Sequence, residues 1–162
     1  MKQSVYVETT VPSYLTAWPS QNVIRAGEQQ TTKIWWARRS EYELRVSSLV
    51  IAECKAGDAE AAAARIAALE GILLLEVTRE AEVLGGILLR EVPLPEKAAT
   101  DALHVALAAV NGIQYLLTWN CTHIANAVLR PRIEAVCRKC GYEPPVICTP
   151  QELHGEDNDG RA

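Results

Sequence analysis

The chain has 162 residues and a mass of 17.8 kDa, which is the size of one domain. Its composition, 49% hydrophobic and 22% charged, excludes global disorder, and a net charge of −4 excludes a general polyanion binder. No apolar run reaches the roughly 18 residues of a membrane helix, and residues 1–8 lack a secretory apolar segment, so we predict a cytoplasmic protein.

Short β-rich segments alternate with helical segments along the chain, and residues 9–13, after the first strand, read as a loop. The segment 72–77 is apolar enough for a central parallel strand. Strands are predicted over residues 4–8, 44–47, 72–77 and 113–118, with a short fifth over 146–148. Helices are predicted over residues 22–39, 49–55, 59–69, 79–90, 96–110 and 131–140.

This alternation is typical of βαβ units, and it predicts an α/β fold with a mostly parallel sheet of about four to five strands. No composition shift marks an internal boundary. We therefore expect one domain over residues 1–154, followed by a disordered acidic tail over residues 155–162. In such sheets the functional site lies outside the carboxyl ends of the strands.

Several familiar sites are excluded by missing motifs. The chain has neither G-x-G-x-x-G nor G-x-x-x-x-G-K-[ST], which argues against dinucleotide and P-loop sites, and no G-x-S-x-G. Cys137 and Cys140 have C-x-x-C spacing, but no second pair completes a zinc site. His104 and His123 lack a second histidine at metal spacing, so we expect them to pack or to hydrogen-bond rather than to bind metal.

The predicted strand ends carry oxygen ligands. Glu8 closes the first strand, Glu53 lies just beyond the second, and Asn120 follows the fourth; Asp101 lies in the first turns of the helix after a proline break. These four side chains are expected to converge at one edge of the sheet, where three carboxylates would repel one another without a cation. An all-oxygen site of this kind favours Mg²⁺ or Mn²⁺.

Each of these residues also has a purely structural interpretation. Glu8 and Glu53 could be solvated, and Asn120 could simply start a turn. Asp101 could stabilise a helix N-terminus, which contributes about 0.3–1 kcal/mol. Because Asp101 is the sole acid on a largely apolar helix, and burying an unpaired charge costs far more, a partner or a metal is the better explanation.

In these residues the chain resembles the PIN domain family, specifically the ribonuclease toxins of type II toxin–antitoxin pairs. The likeness spans nearly the whole chain in the family's order and spacing. It is carried by YVETTVPSYL at residues 6–15, SSLVIAE at 47–53, ATDALHVALA at 99–108 and LLTWNCTH at 116–123.

The resemblance implies a three-layer α/β/α sandwich and Mg²⁺- or Mn²⁺-dependent cleavage of single-stranded RNA by a metal-activated water. Two positions depart from the usual pattern, because the family usually has Asp at the positions of Glu8 and Asn120. The implied catalytic and metal-binding residues are Glu8, Glu53, Asp101 and Asn120, with Thr9 and Thr118 as hydroxyls that fix the carboxylates.

The implied partners are an RNA substrate along a basic rim, a protein antitoxin whose tail enters the site, and a second copy in a homodimer. Two alternatives stay open. One is a catalytically weakened PIN-like module that binds RNA or a partner protein without cleavage. The more distant one is a small-molecule enzyme such as a phosphatase, which would need a nucleophile with an adjacent base that the sequence does not show.

Overall fold

The computed structural model describes residues 1–155, which form a five-stranded parallel sheet with helices packed against it. The strands are β1 Ser4–Val7, β2 Glu43–Ser47, β3 Leu73–Leu75, β4 Tyr115–Leu117 and β5 Val146–Cys148. They lie in the order β3-β2-β1-β4-β5, so that β1 is central and Val5 lies opposite Leu44 on one side and Tyr115 on the other.

Two groups of helices cover the sheet. The helices are α1 Thr10–Thr16, α2 Val23–Ala37, α3 Ser48–Cys54, α4 Ala59–Ala68, α5 Arg79–Glu91, α6 Ala99–Val110 and α7 Arg130–Lys139. The chain steps outward from β1 to β3, crosses back to β4 and steps on to β5, and right-handed crossovers then place α1–α4 on one face and α5–α7 on the other. The helix contacts agree with this arrangement, because α1 packs against α2 and α4, and α5 packs against α6 and α7.

The prediction of a loop after the first strand is wrong, because α1 begins at Thr10. Pro12 lies in the first turn of this helix, where its missing N–H is tolerated. The hydroxyls of Ser13 and Thr16 donate to the carbonyls four residues earlier, at 2.9 Å each, an arrangement that a helix accommodates at a small cost. α1 therefore starts two residues after Glu8, and its first turn lies beside the end of the central strand.

The third predicted strand is shorter than expected, and its predicted central position is wrong. β3 covers Leu73–Leu75 at one edge of the sheet, and Leu73 and Leu74 are exposed. An apolar run in the sequence is the same for a central strand and for an edge strand, so the run alone does not determine where β3 lies in the sheet. The predicted helix over 96–110 also begins with a separate 3₁₀ turn, Glu96–Ala98.

The core lies on both faces of the two central strands. Tyr6 and Val7 of β1 and Leu116 and Leu117 of β4 are completely buried. No helix among residues 1–155 is long and apolar enough to span a membrane. Apart from Gly155, the predicted acidic tail over residues 155–162 lies outside the described residues.

Candidate active site

The site is centred on the residue that follows the central strand. Glu8 extends the pairing of β1 with β4, since its backbone N–H donates to Leu117 O at 3.0 Å. Glu53 lies in α3, which starts directly after β2, and Asp101 lies in the first turn of α6. Asn120 comes three residues after the end of β4. All four positions belong to elements that begin or end at the carboxyl edge of the sheet.

Glu8 is not the solvated strand-end residue of the structural interpretation, because only 3% of its surface is exposed. Its Oε2 accepts three hydrogen bonds: from Thr10 N at 3.0 Å, from the Thr10 hydroxyl, and from the Thr118 hydroxyl at 2.8 Å. Hydrogen bonds to a charged acceptor are the strong class, and they offset the cost of burying a carboxylate. The Glu8 side chain is therefore fixed in place.

Glu53 is held by two donors on the same oxygen. Its Oε1 accepts from the Thr9 hydroxyl at 2.7 Å and from Nε2 of His104, whose side chain is completely buried. Burial raises the pKa of Glu53, but the hydrogen bond and charge of His104 and the Thr9 hydroxyl outweigh it and hold that pKa below its usual value. The Glu53 carboxylate is thus ionised and oriented by residues from α6 and the end of β1.

Behind His104 a buried chain of hydrogen bonds runs into the core. Because the Glu53 carboxylate can only accept, Nε2 of His104 is the donor, and Nδ1 on the other side of the ring lies 2.7 Å from the Tyr6 hydroxyl. The Tyr6 oxygen in turn accepts from the Ser47 hydroxyl at 2.7 Å. Burial raises the pKa of the Tyr6 phenol far above its usual value, so Tyr6 remains a donor.

Asp101 and Asn120 are joined through His123. Nδ1 of His123 contacts Asp101 Oδ2 at 2.8 Å, and the backbone N–H of His123 donates to Asn120 Oδ1 at 3.0 Å. Asn120 N donates to the Thr118 hydroxyl at 2.9 Å. Asn120 does therefore start a turn, as its structural interpretation held, and that same turn positions the partner of Asp101.

The four predicted site residues belong to one connected network. Glu8 and Asn120 share Thr118, and Glu53 is bonded to Thr9, the residue after Glu8. His123 contacts both Asn120 and Asp101 and so joins these two residues. The expectation that the two histidines hydrogen-bond is confirmed, since each contacts one of the carboxylates.

The oxygen atoms of these residues fit the predicted cation in part. In every carboxylate the hydrogen bonds fall on one oxygen, and the other, Oε1 of Glu8, Oε2 of Glu53 or Oδ1 of Asp101, accepts none from residues 1–155. Within that same range, however, no group of three or more His, Cys, Asp or Glu side chains lies close enough to enclose a metal ion. Mg²⁺ usually keeps several waters and takes one or two carboxylates, so the open oxygens fit a water-rich site and not a closed three-carboxylate cage.

Thr10 is the residue that sequence reasoning missed. Its hydroxyl donates to Glu8 and accepts from Trp119 N at 2.8 Å, so it links α1, Glu8 and the segment after β4. The signal was its place two residues after a strand-end carboxylate, where threonine commonly bonds back to the chain. The assignment of residues 9–13 to a loop hid this role.

Comparison by sequence gives no matching family model and no matching curated protein. Comparison with solved structures finds VapC20 from Mycobacterium tuberculosis, a toxin that cleaves the sarcin-ricin loop, with a TM-score of 0.58 and 21% identity over 73% of this chain and 91% of that one. It also finds VapBC2 from Rickettsia felis, solved bound to a DNA fragment of its promoter, with a TM-score of 0.54 and 14% identity over 91% and 98% of the two chains.

The chain has a PIN-like fold. The predicted α/β class, the mostly parallel sheet of four to five strands and the resemblance to PIN-domain toxins of type II toxin–antitoxin systems are confirmed at the level of the fold. In this PIN-like fold the hydrogen-bonded network around Glu8 lies where open α/β sheets hold their sites, outside the carboxyl ends of the central strands.

Proposed function

We propose that the protein is a Mg²⁺- or Mn²⁺-dependent endoribonuclease that cleaves single-stranded RNA, and that it is the toxin of a toxin–antitoxin pair. The observation that carries the proposal is the network that fixes Glu8, Glu53 and Asp101 by one oxygen each and leaves the other oxygen of each without a hydrogen bond from residues 1–155. The PIN-like fold and the RNA-cleaving activity of the structural neighbour VapC20 support it.

Each residue has a proposed role. One or two of the carboxylates Glu8, Glu53 and Asp101 would hold the cation directly through their open oxygens, and the others would contact it through water. Asn120 would orient these outer ligands or the attacking water. When bound, the cation would lower the pKa of a water and offset charge on the phosphodiester. Thr118 and Thr10 keep the Glu8 carboxylate oriented, while Thr9 and His104 do the same for Glu53.

The partners stay proposals as well. The neighbour VapBC2 supports a protein antitoxin as partner of this chain. The predicted homodimer and the predicted cytoplasmic location remain predictions.

The proposal is tested by a cleavage assay on mixed single-stranded RNA, with Mg²⁺, with Mn²⁺ and with EDTA. We expect cleavage by the wild type to disappear in EDTA and to fall at least about 100-fold in Asp101→Asn, which keeps the shape of the side chain but removes its charge. The matched control is Asp58→Asn, because Asp58 caps α4 and asparagine caps a helix equally well. Thermal unfolding checks that both variants are folded.

A second candidate, a module that binds RNA without cleaving it, is favoured by one observation. Residues 1–155 assemble no group of three side chains able to enclose a metal, and Asn120 supplies a neutral oxygen where the family usually has a charge. If RNA is bound equally by the wild type and Asp101→Asn, and neither cleaves it with any metal, the nuclease proposal is wrong and this candidate replaces it.

A further inference from the structure

An arginine and two aromatic rings form a stack next to the site. The rings of Tyr14 and Trp119 are stacked with their centroids 5.8 Å apart and an angle of 11° between their planes. The guanidinium carbon of Arg25 lies 5.4 Å from the centroid of the Tyr14 ring. We call Arg25, Tyr14 and Trp119 the arginine–aromatic stack.

The inner end of this stack is rigid and is tied to Glu8. Trp119 is only 8% exposed, its indole N–H donates to the Thr32 hydroxyl at 2.8 Å, and its backbone N–H donates to the Thr10 hydroxyl at 2.8 Å. Thr10 also donates to Glu8. A group bound at the outer end of the stack is therefore held in a fixed relation to the site carboxylate.

The outer end carries an available positive charge. Arg25 is exposed, and its guanidinium forms no salt bridge and donates no hydrogen bond to any residue in 1–155; its contact there is with the Tyr14 ring. The backbone of Arg25 is fixed by Asn22, whose Oδ1 accepts from Arg25 N at 3.0 Å at the start of α2. Since α2 runs back from the carboxyl edge of the sheet toward the start of β2, Arg25 lies at the edge that carries the site.

A second arginine on an aromatic ring provides a contrast within the same molecule. Arg39 lies 5.2 Å from the Trp36 ring, but it follows α2 and precedes β2, at the opposite edge of the sheet. Its guanidinium also donates to Trp36 O at 2.9 Å. The two arginines share the ring contact and differ in their distance from Glu8 and in their free donors.

We propose that the arginine–aromatic stack is a binding subsite for single-stranded RNA, in which the Arg25 guanidinium contacts a backbone phosphate beside the bond that is cleaved. The inference rests on the proposed function. A guanidinium binds phosphate through paired N–H donors, and a ring beneath it holds it in place and adds a cation–π attraction. Single-stranded RNA is the substrate class of the proposed function, and such strands are bound by positively charged side chains that follow the backbone.

The test is RNA binding in EDTA, measured by fluorescence anisotropy with a labelled pool of random-sequence single-stranded RNA. A random pool is suitable because a phosphate contact carries no sequence information. We expect Arg25→Gln to weaken binding about tenfold and to reduce the slope of log K against log salt by about 0.7, the value for one phosphate contact on a single strand. The matched control, Arg39→Gln, removes the same charge at the opposite edge and should leave both quantities unchanged.

Two variants of Tyr14 separate the ring from the charge. Tyr14→Phe keeps the ring beneath Arg25 and should bind RNA like the wild type. Tyr14→Leu removes the ring while Arg25 stays, and we expect a loss of affinity of about threefold. With Mg²⁺ present, Arg25→Gln should raise KM for RNA cleavage and leave kcat nearly unchanged, as expected for a contact made equally in the ground state and the transition state.

The outcomes separate this inference from the proposed function. If the wild type binds and cleaves RNA and Arg25→Gln matches it in affinity and salt slope, the subsite is wrong and the nuclease stands. If Arg39→Gln weakens binding as much as Arg25→Gln, the effect is one of overall charge and the subsite is again wrong. If the wild type neither binds nor cleaves any RNA, both are overturned.

Discussion

The four candidate site residues are held in two different ways. Glu8 and Glu53 form a core-anchored pair, whose carboxylates accept hydrogen bonds from side chains of the completely buried residues Thr118 and His104. Asp101 and Asn120 form a loop-anchored pair, joined by His123 in the segment between β4 and α7. The side chain of His123 is 17% exposed, whereas that of His104 is not exposed at all.

This difference shows how one site can combine rigidity with adjustment. Glu53 cannot move without disturbing His104 and, behind it, Tyr6. Glu8 cannot move without disturbing the buried Thr118. The loop-anchored pair is joined by a partly exposed ring, so the contact of His123 with Asp101 can adjust without breaking the hydrogen bonds of Tyr6 and Ser47. Mg²⁺ keeps several waters and takes one or two carboxylates, so a site for it does not need all four side chains to be fixed.

The largest expected effect on stability is that of His104, and His123 provides the comparison. His104→Ala removes a completely buried ring and leaves Glu53 and the Tyr6 hydroxyl each short of a partner, so we expect unfolding to become easier by about 3–4 kcal/mol. His123→Ala removes the same side chain from the loop-anchored pair and should cost less than about 1 kcal/mol. Urea unfolding of both variants at pH 7 measures the difference.

Equal destabilisation by the two histidine substitutions would break the comparison, because it would mean that the segment after β4 is as much part of the core as β1. The comparison would be sharpened if His104→Ala caused a large loss of stability and Tyr6→Phe caused part of the same loss. The phenylalanine variant removes the hydroxyl from the same chain of hydrogen bonds and keeps the packing of the ring.

An intermediate effect is expected for Thr10. Thr10→Val removes a donor to the buried Glu8 carboxylate and an acceptor for Trp119 N, and we expect a loss of about 1.5–3 kcal/mol of stability. The control is Thr31→Val, because the Thr31 hydroxyl donates within α2 to Gly27 O in an exposed position, and its loss should matter by less than about 0.5 kcal/mol. Chemical denaturation again gives both values, and a Thr10→Val loss no greater than the control would contradict the anchoring of Glu8.

The sequence was sufficient to predict at which edge of the sheet the candidate site lies, but not which residues hold its carboxylates. The alternation of strands and helices predicted the parallel sheet and therefore the edge at which Glu8 and Asn120 lie. The hydrogen-bond partners of the carboxylates could not be predicted from the sequence, because Tyr6 and His104, for example, are 98 residues apart and meet only in the folded chain. The place of β3 at the edge was missed for the same reason, since an apolar run does not record its neighbours.

The smallest expected effect is also the one that tests the charge of the loop-anchored pair. Asn120→Asp adds a carboxylate to a network that already holds three, so the metal-free protein should lose about 0.5–1 kcal/mol of stability through like-charge repulsion. If Asn120 lies beside the proposed cation, the same change should tighten Mn²⁺ binding about tenfold, because a charged oxygen replaces a neutral one. Isothermal titration with Mn²⁺ and unfolding in EDTA give the two quantities.

Asn126→Asp is the matched control for this last prediction. Asn126 lies six residues further along the same segment, and its Oδ1 accepts from backbone N–H groups, at 2.9 Å from Val128 N, just as Asn120 Oδ1 accepts from His123 N. It therefore receives the same new charge in the same kind of turn, away from the network. Unchanged Mn²⁺ affinity in Asn120→Asp would remove Asn120 from the cation's surroundings and leave it the structural role of orienting His123. Tighter binding in Asn120→Asp but not in Asn126→Asp would mean that Asn120 lies beside the cation.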